Sequence, residues 1–387
     1  MKKLIGALAL AAMVATSAFA EVSFGAWVCN LPSLISSNGD GIQGGGVSNP
    51  WGGWRPARAD ISFTSDDGKA GMVLGVYTGL NGNNPGSGNG GSIGNADNTL
   101  MWVKPIEQIR LSVGALDNWF GTRSDLCFGS WNWLRPEATT DGVRWGEGIT
   151  FSATSGWDMA GLGVEIMPIE ALKIFAFVPL KTSVSDIEYV FGNGWYGAMY
   201  TIDGIGKIKA QFIGKYAKTG DKSKLGTIEA AFDLTAVDKL FATVGIEFNI
   251  QDNDLYKKGD KMFGAALGAS YGITEAFKVS ADFSVSIPKE GDLGMAFGVG
   301  LDYALNDALG LTADVRMIMP NNSKDPTLSF LAGATYAVGS NGSLGLGFQA
   351  AVAMGDAPAN KTQIKYVEAA ADKKFIFAVP LRFSTWF

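Results

Sequence analysis

An antiparallel, transmembrane β-barrel of about 16–18 strands, with about 18 the best count, is the all-β fold this sequence predicts. Three observations carry it. Apolar residues recur at period two in segments of about eleven residues, the length that crosses a bilayer at a tilt. Short turns alternate with long loops along the chain. Beyond the first 20 residues, no apolar run reaches the roughly eighteen residues of a spanning helix.

The segment from Phe375 to Phe387 is the clearest strand. Phe375, Phe377, Val379, Leu381, Phe383, Thr385 and Phe387 share one face; Lys374, Arg382 and the small residues share the other. In Phe277 to Ile287 the apolar row is Phe277, Val279, Ala281, Phe283, Val285 and Ile287, opposite Lys278, Ser280, Asp282, Ser284 and Ser286. The stretches from Leu293 to Leu305, Leu309 to Met319, Leu328 to Val338 and Leu344 to Met354 repeat the scheme. One face is fit for lipid. The other, small and polar, is fit for a wide wet lumen rather than a packed core. Backbone in lipid must be fully paired, so such strands span only as a closed barrel.

Short connectors recur before strands: Pro105 to Gln108, Pro168 to Ala171, Ala236 to Lys239, Thr274 to Ala276 and Asn306 to Ala308. Asp66 to Lys69, Asp203 to Gly206 and Ser340 to Gly342 use glycine turn chemistry for the same job. Eight such turns join eight pairs; a first and a last strand complete the count. The stretch from Ile149 to Met167 is either one bent strand or a folded loop. Long segments alternate with the turns, chiefly at about residues 30–56, 79–98 and 117–147. Residues 1–20 read as a cleavable signal peptide, with Lys2 and Lys3, an apolar stretch and Ala18-Phe19-Ala20. Residues 21–387 form a single barrel domain.

Composition removes several function classes. The 31 basic residues, less Lys2 and Lys3, leave 29 against 37 acidic ones, or −8. That disfavours nucleic acid, which wants a basic patch. With no histidine, the Ser-His-Asp triad, Cys-His dyad and histidine metal sites are excluded, and neither catalysis nor a cofactor is expected. Two cysteines, Cys29 and Cys127, are too few for a four-cysteine metal site; in an exported chain they form one disulfide or stay as thiols. The run from Gly342 to Gly347 lacks the spacing of a phosphate loop. Asp252-Asn253-Asp254 and Asn38 to Gly41 do not fit a calcium loop and read as turns.

Ten of the 11 tryptophans precede residue 200. Trp27, Trp102, Trp195 and Trp386 suit strand ends at the membrane interface. Trp119, Trp131, Trp133 and Trp145 fall in or beside the 117–147 loop, where they either pack the loop on itself or stack a solute. The same loop carries Arg123, Arg135, Glu137 and Arg144, which would ring a constriction if it folds into the lumen and face solvent if it does not. Strand charges expected to face the lumen are Arg58, Asp60, Arg110, Lys209, Glu247, Lys278, Asp282, Asp314 and Arg316.

The alternating strands, the signal peptide and the terminal Phe387 together resemble a diderm outer-membrane porin, with a style similar to spirochaetal outer-membrane proteins. The resemblance is architectural, covers residues 21–387 and rests on no specific family motif. It implies passive diffusion of small hydrophilic solutes across an outer membrane. It makes Phe387 an assembly signal for the barrel insertion machinery. Outer-membrane lipid, small solutes and copies of the same chain are the implied partners. Two other readings stand beside it: a ligand-specific channel for sugars or hydrophobic compounds using the tryptophan-rich loops, and a plugged structural barrel or surface adhesin.

Overall fold

The computed structural model describes residues 20–48, 57–79, 92–95, 100–115, 139–140, 143–144, 160–180, 187–319, 324–356 and 373–387, almost all of them strand. The first half holds β1 (Ala20–Ser37), β2 (Ile42–Ser48), β3 (Ala57–Ser65), β4 (Ala70–Gly79), β5 (Ser92–Asn95), β6 (Leu100–Ile106) and β7 (Ile109–Ala115). The two-residue strands β8 (Thr139–Thr140) and β9 (Val143–Arg144) follow, then β10 (Ala160–Ile169) and β11 (Leu172–Pro179). A short helix, α1 (Ile187–Gly192), precedes β12 (Trp195–Ile202), β13 (Gly206–Thr219) and β14 (Lys222–Leu234). The regular remainder is β15 (Leu240–Gln251), β16 (Lys261–Gly272), β17 (Phe277–Pro288), β18 (Gly294–Ala304), β19 (Leu309–Met319), β20 (Thr327–Ala337), β21 (Gly342–Ala353) and β22 (Phe375–Trp386).

All but β8 and β9 belong to one 20-stranded sheet, and every pairing in it is antiparallel. β2 pairs beside the far half of β1 and β5 beside the far half of β4, so each extends the path of the strand that follows it, β3 or β6. Setting those two aside leaves 18 strands, each paired with the next, and β22 pairs back to β1 from Trp27↔Trp386 onward. Phe387 completes this seam: its N–H donates to the Ala26 carbonyl at 2.7 Å, and the Ala26 N–H donates to its carbonyl at 3.0 Å.

All eight anticipated connectors are tight turns between sequential strands, and both ends of the sheet's path lie on their side. Three of them take a left-handed backbone: two use glycine for it, Gly68 at φ 65° and Gly204 at φ 67°, and the third uses Lys239 at φ 59°. The stretch from Ile149 to Met167 resolves at its end into β10, which pairs with β7. The opposite side is less uniform than expected. Only Gly220 and Asp221 separate β13 from β14, and both strands run past a bulge between Gly214 and Ala217.

The two faces divide as the alternation dictates. Phe283, Phe297, Val315 and Leu346 point outward and are 41–50% exposed. Their strand neighbours Ser284, Ala296, Arg316 and Gly345 point inward and are buried. One expectation fails here. The inner row is not a wide wet surface: Lys209, Glu229, Glu247, Ser286 and Ser329 are all within 1% of full burial. For the charged members the physical reason lies in their pairing, described below, which makes this part of the inner face a polar packed layer.

Candidate functional site

The inner face of the ring is the candidate site. One register row runs across it through Arg110, Glu165, Phe175, Gly197, Gln211, Glu229, Glu247, Gly264, Ser286 and Gly294, each opposite the next on the neighbouring strand. Charge concentrates on β13 to β16. Lys209 bonds Asp233, and the Thr243 hydroxyl donates to the same carboxylate at 2.8 Å. Gln211 Nε2 donates to Glu229 Oε2 at 2.6 Å, and Lys261 lies 2.7 Å from Glu247 Oε1. Glu229 and Glu247 are directly opposite one another, an arrangement that like charges normally disfavour. Gln211 on one side and Lys261 on the other offset that repulsion. On β19, Arg316 bonds Asp314 two residues back on the same strand.

A second sector is aromatic. Phe175, Phe177, Trp195 and Ile213 form a buried cluster on β11 to β13, with the Phe177 and Trp195 rings 5.4 Å apart. Several rings lie flat because the facing strand offers a glycine. A Cβ on Gly197 would come 2.5 Å from the Phe175 ring, and one on Gly71 would come 2.5 Å from the Trp102 ring. Trp102 and Trp195 therefore sit on the inner face and not against lipid at the membrane interface, although Trp195 does stand at a strand end, as the first residue of β12. Inward Ser112 and Ile213 are their register partners. Trp386, 44% exposed at the end of β22, does occupy a strand end.

The anticipated lumen charges fall as follows. Lys209, Glu247, Asp314 and Arg316 are buried on the inner face; Asp60, Arg110 and Asp282 are half-buried; Lys278 is exposed near its short turn. Arg58 lies in β3, with its side chain outside the described residues. Glu165, Lys173, Gln211, Glu229, Asp233 and Lys261 also line this face and were not anticipated. Alternation could have found most of them: Glu229 and Asp233 share the parity of Thr227 and Ala231 within one strand.

Of the loop residues, Arg123, Arg135, Glu137, Trp119, Trp131, Trp133, Trp145 and Cys127 lie outside the described residues, as do residues 1–19. Cys29 is in β1, its side chain likewise outside them. Arg144 lies in β9, which pairs with β8 through Thr139↔Arg144. That hairpin belongs to the connection between β7 and β10. Yet β8 comes within 8 Å, Cα to Cα, of β18 and β19, and β9 within 8 Å of β17. In the order of pairing, those strands stand on the opposite side of the ring.

Among solved structures, the chain is similar to an anion-selective porin from Comamonas acidovorans. The TM-score is 0.52 at 12% identity, over 94% of this chain and 99% of that one. It is also similar to a variant of Rh. blastica porin, with a TM-score of 0.48 at 12% identity, over 94% of this chain and 100% of that one. No family profile matches the chain. No curated protein matches it either. At this identity the likeness speaks for the fold alone: the chain is an antiparallel β-barrel of the bacterial porin kind.

Proposed function

We propose that the protein is an outer-membrane channel through which small hydrophilic solutes diffuse passively. The observation that carries this reading is the division of faces around an 18-strand ring, apolar side chains outward and mostly charged, polar or small ones inward, save for the aromatic sector on β11 to β13. A porin-like fold supports it. An outward row of Phe, Val and Leu is costly in water and favourable against lipid, and an antiparallel ring leaves no unpaired edge in hydrocarbon. Loop residues Arg123, Arg135, Glu137 and Arg144 would form the constriction. The approach of β8 and β9 to the far wall supports a path for this loop through the lumen. Export would follow from the signal peptide.

The test is conductance of the refolded protein in a planar bilayer. Stepwise, ohmic single-channel currents are expected, and absence of current refutes the reading. In a salt gradient, replacing Arg123, Arg135 and Arg144 by glutamine should raise cation preference. An unchanged reversal potential removes the loop from the constriction. One observation favours a second reading, the plugged structural barrel: the inner charges are buried. A folded protein that inserts and passes no current would be that barrel.

A further inference from the structure

Four inner-face side chains near the short-turn end of β6 to β11 are arranged unlike the rest. Trp102 lies flat over Gly71. Above its ring stand two cations, the Arg110 guanidinium 4.9 Å and the Lys104 ammonium 5.7 Å from the ring centroid. Lys173 reaches in from β11. The group is half-buried rather than sealed: the Arg110 side chain is 33% exposed and that of Lys173 26%.

Two cations, Arg110 and Lys173, share one carboxylate here. Glu165 gives Oε1 to Lys173 at 2.5 Å and offers Oε2 to Arg110 only at 3.7 Å, beyond hydrogen-bond reach. Arg110 Nε is shut from solvent and has no acceptor among the described residues. A guanidinium carries five donors in a fixed fork that matches an oxyanion. One whose Nε lacks an acceptor is costly unless an anion completes it. The ring beneath holds the guanidinium plane in place and excludes water on one side.

The geometry points to an anion subsite on the lumen wall, in which Arg110 and Lys173, seated on Trp102 and backed by Lys104, take the oxyanion group of a small solute, a carboxylate or phosphate. Glu165 is its built-in competitor, holding Lys173 when no anion is present. The subsite rests on the channel reading for its biological use but not for its existence, since binding can be measured without current.

The experiment is calorimetric titration of the detergent-refolded protein with inorganic phosphate and, separately, with succinate, far-UV circular dichroism confirming that each variant is folded. Saturable binding by the wild type is expected. Arg110→Gln should weaken it by about tenfold, the loss of a charge-assisted pair. Glu165→Gln should strengthen it, because it frees two cations; a merely structural ion pair would not give opposite signs. Phosphate and succinate binding alike marks a general oxyanion site, and a large preference names the group. No saturable binding of either, or equal binding by the wild type and Arg110→Gln, overturns the subsite. Absence of bilayer current with binding intact overturns the channel and leaves the subsite standing.

Discussion

Trp102 shows how a missing side chain on one strand decides where a ring on the next can lie. Adding a methyl at Gly71 would press it against both the indole, at 2.5 Å, and the Phe63 carbonyl, at 2.7 Å. The second is backbone and cannot swing aside. Gly71→Ala should therefore cost about 1–3 kcal/mol in denaturant unfolding, in the range of overpacking. Lys209 carries the opposite lesson. It is fully buried against Asp233, so Lys209→Met strands a charge and should cost about 3–5 kcal/mol. Pairing it with Asp233→Leu should restore much of that loss. A double variant no more stable than the single would show that the pair is not the unit. In the turn at 66–69, the Ser65 hydroxyl and then the Lys69 N–H donate to Asp67, which holds that carboxyl below the usual carboxylate range. A lowered folded pKa contributes stability above the unfolded value of about 3.9, and that stability disappears as pH falls through the folded value. Asp67→Asn should accordingly lower the neutral plateau slightly, leave stability at low pH close to that of the wild type, and so flatten the acid limb of stability against pH. At this scale the sequence was only partly legible. Trp102 and Trp195 were assigned to the interface because tryptophan favours it. Their parity with Ser112 and Ile213, which settles the matter, depends on register across strands that composition does not reveal.

Among the elements, β17 to β22 were readable almost to their ends, because each alternates without interruption and is bounded by turn residues. β1 to β7 were harder. β2 and β5 are split from β3 and β6, and the glycine-rich sequence within β2 and leading into β5 carries no period. The tight Gly220-Asp221 turn was missed for another reason: Lys218, Lys222 and Lys224 interrupt the apolar row as the strands rise clear of it. Phe283 on β17 tests the outward face. Phe283→Arg should cost about 2–4 kcal/mol in a lipid bilayer if it sits near the midplane. In a wet lumen Ser284→Arg would be harmless. With Ser284 buried, it should also destabilise, and should do so equally in bilayers of different thickness. A thickness-dependent penalty at Ser284 instead of Phe283 would invert the faces. At the end of β22, deleting Phe387 removes two backbone hydrogen bonds to Ala26, about 1–3 kcal/mol of seam stability. If Phe387 is also an assembly signal, insertion in cells should fall much further than that. Equal losses in cells and in detergent would reduce it to a structural residue.

For the whole molecule, the order of strands was legible and the contents of the ring were not. Eight turns plus two end strands predicted the pairing sequence, because antiparallel neighbours need only local connections. How far the inner side chains fill the space they enclose depends on contacts between distant walls, which periodicity does not encode. Accessible tags test the sidedness. An epitope after Asn89 should be accessible on intact cells, and one beside Asp307 only after the outer membrane is opened; the reverse would turn the barrel over. The seam between β1 and β22 has an arithmetic consequence. A ring whose neighbours all run antiparallel, the last against the first included, must hold an even number of strands, since each crossing reverses direction. One strand gained or lost would force two neighbours to run the same way at the join and carry one terminus to the opposite membrane face. The barrel can therefore widen or narrow only by whole hairpins, and the smallest change in its bore that keeps both termini together is two strands.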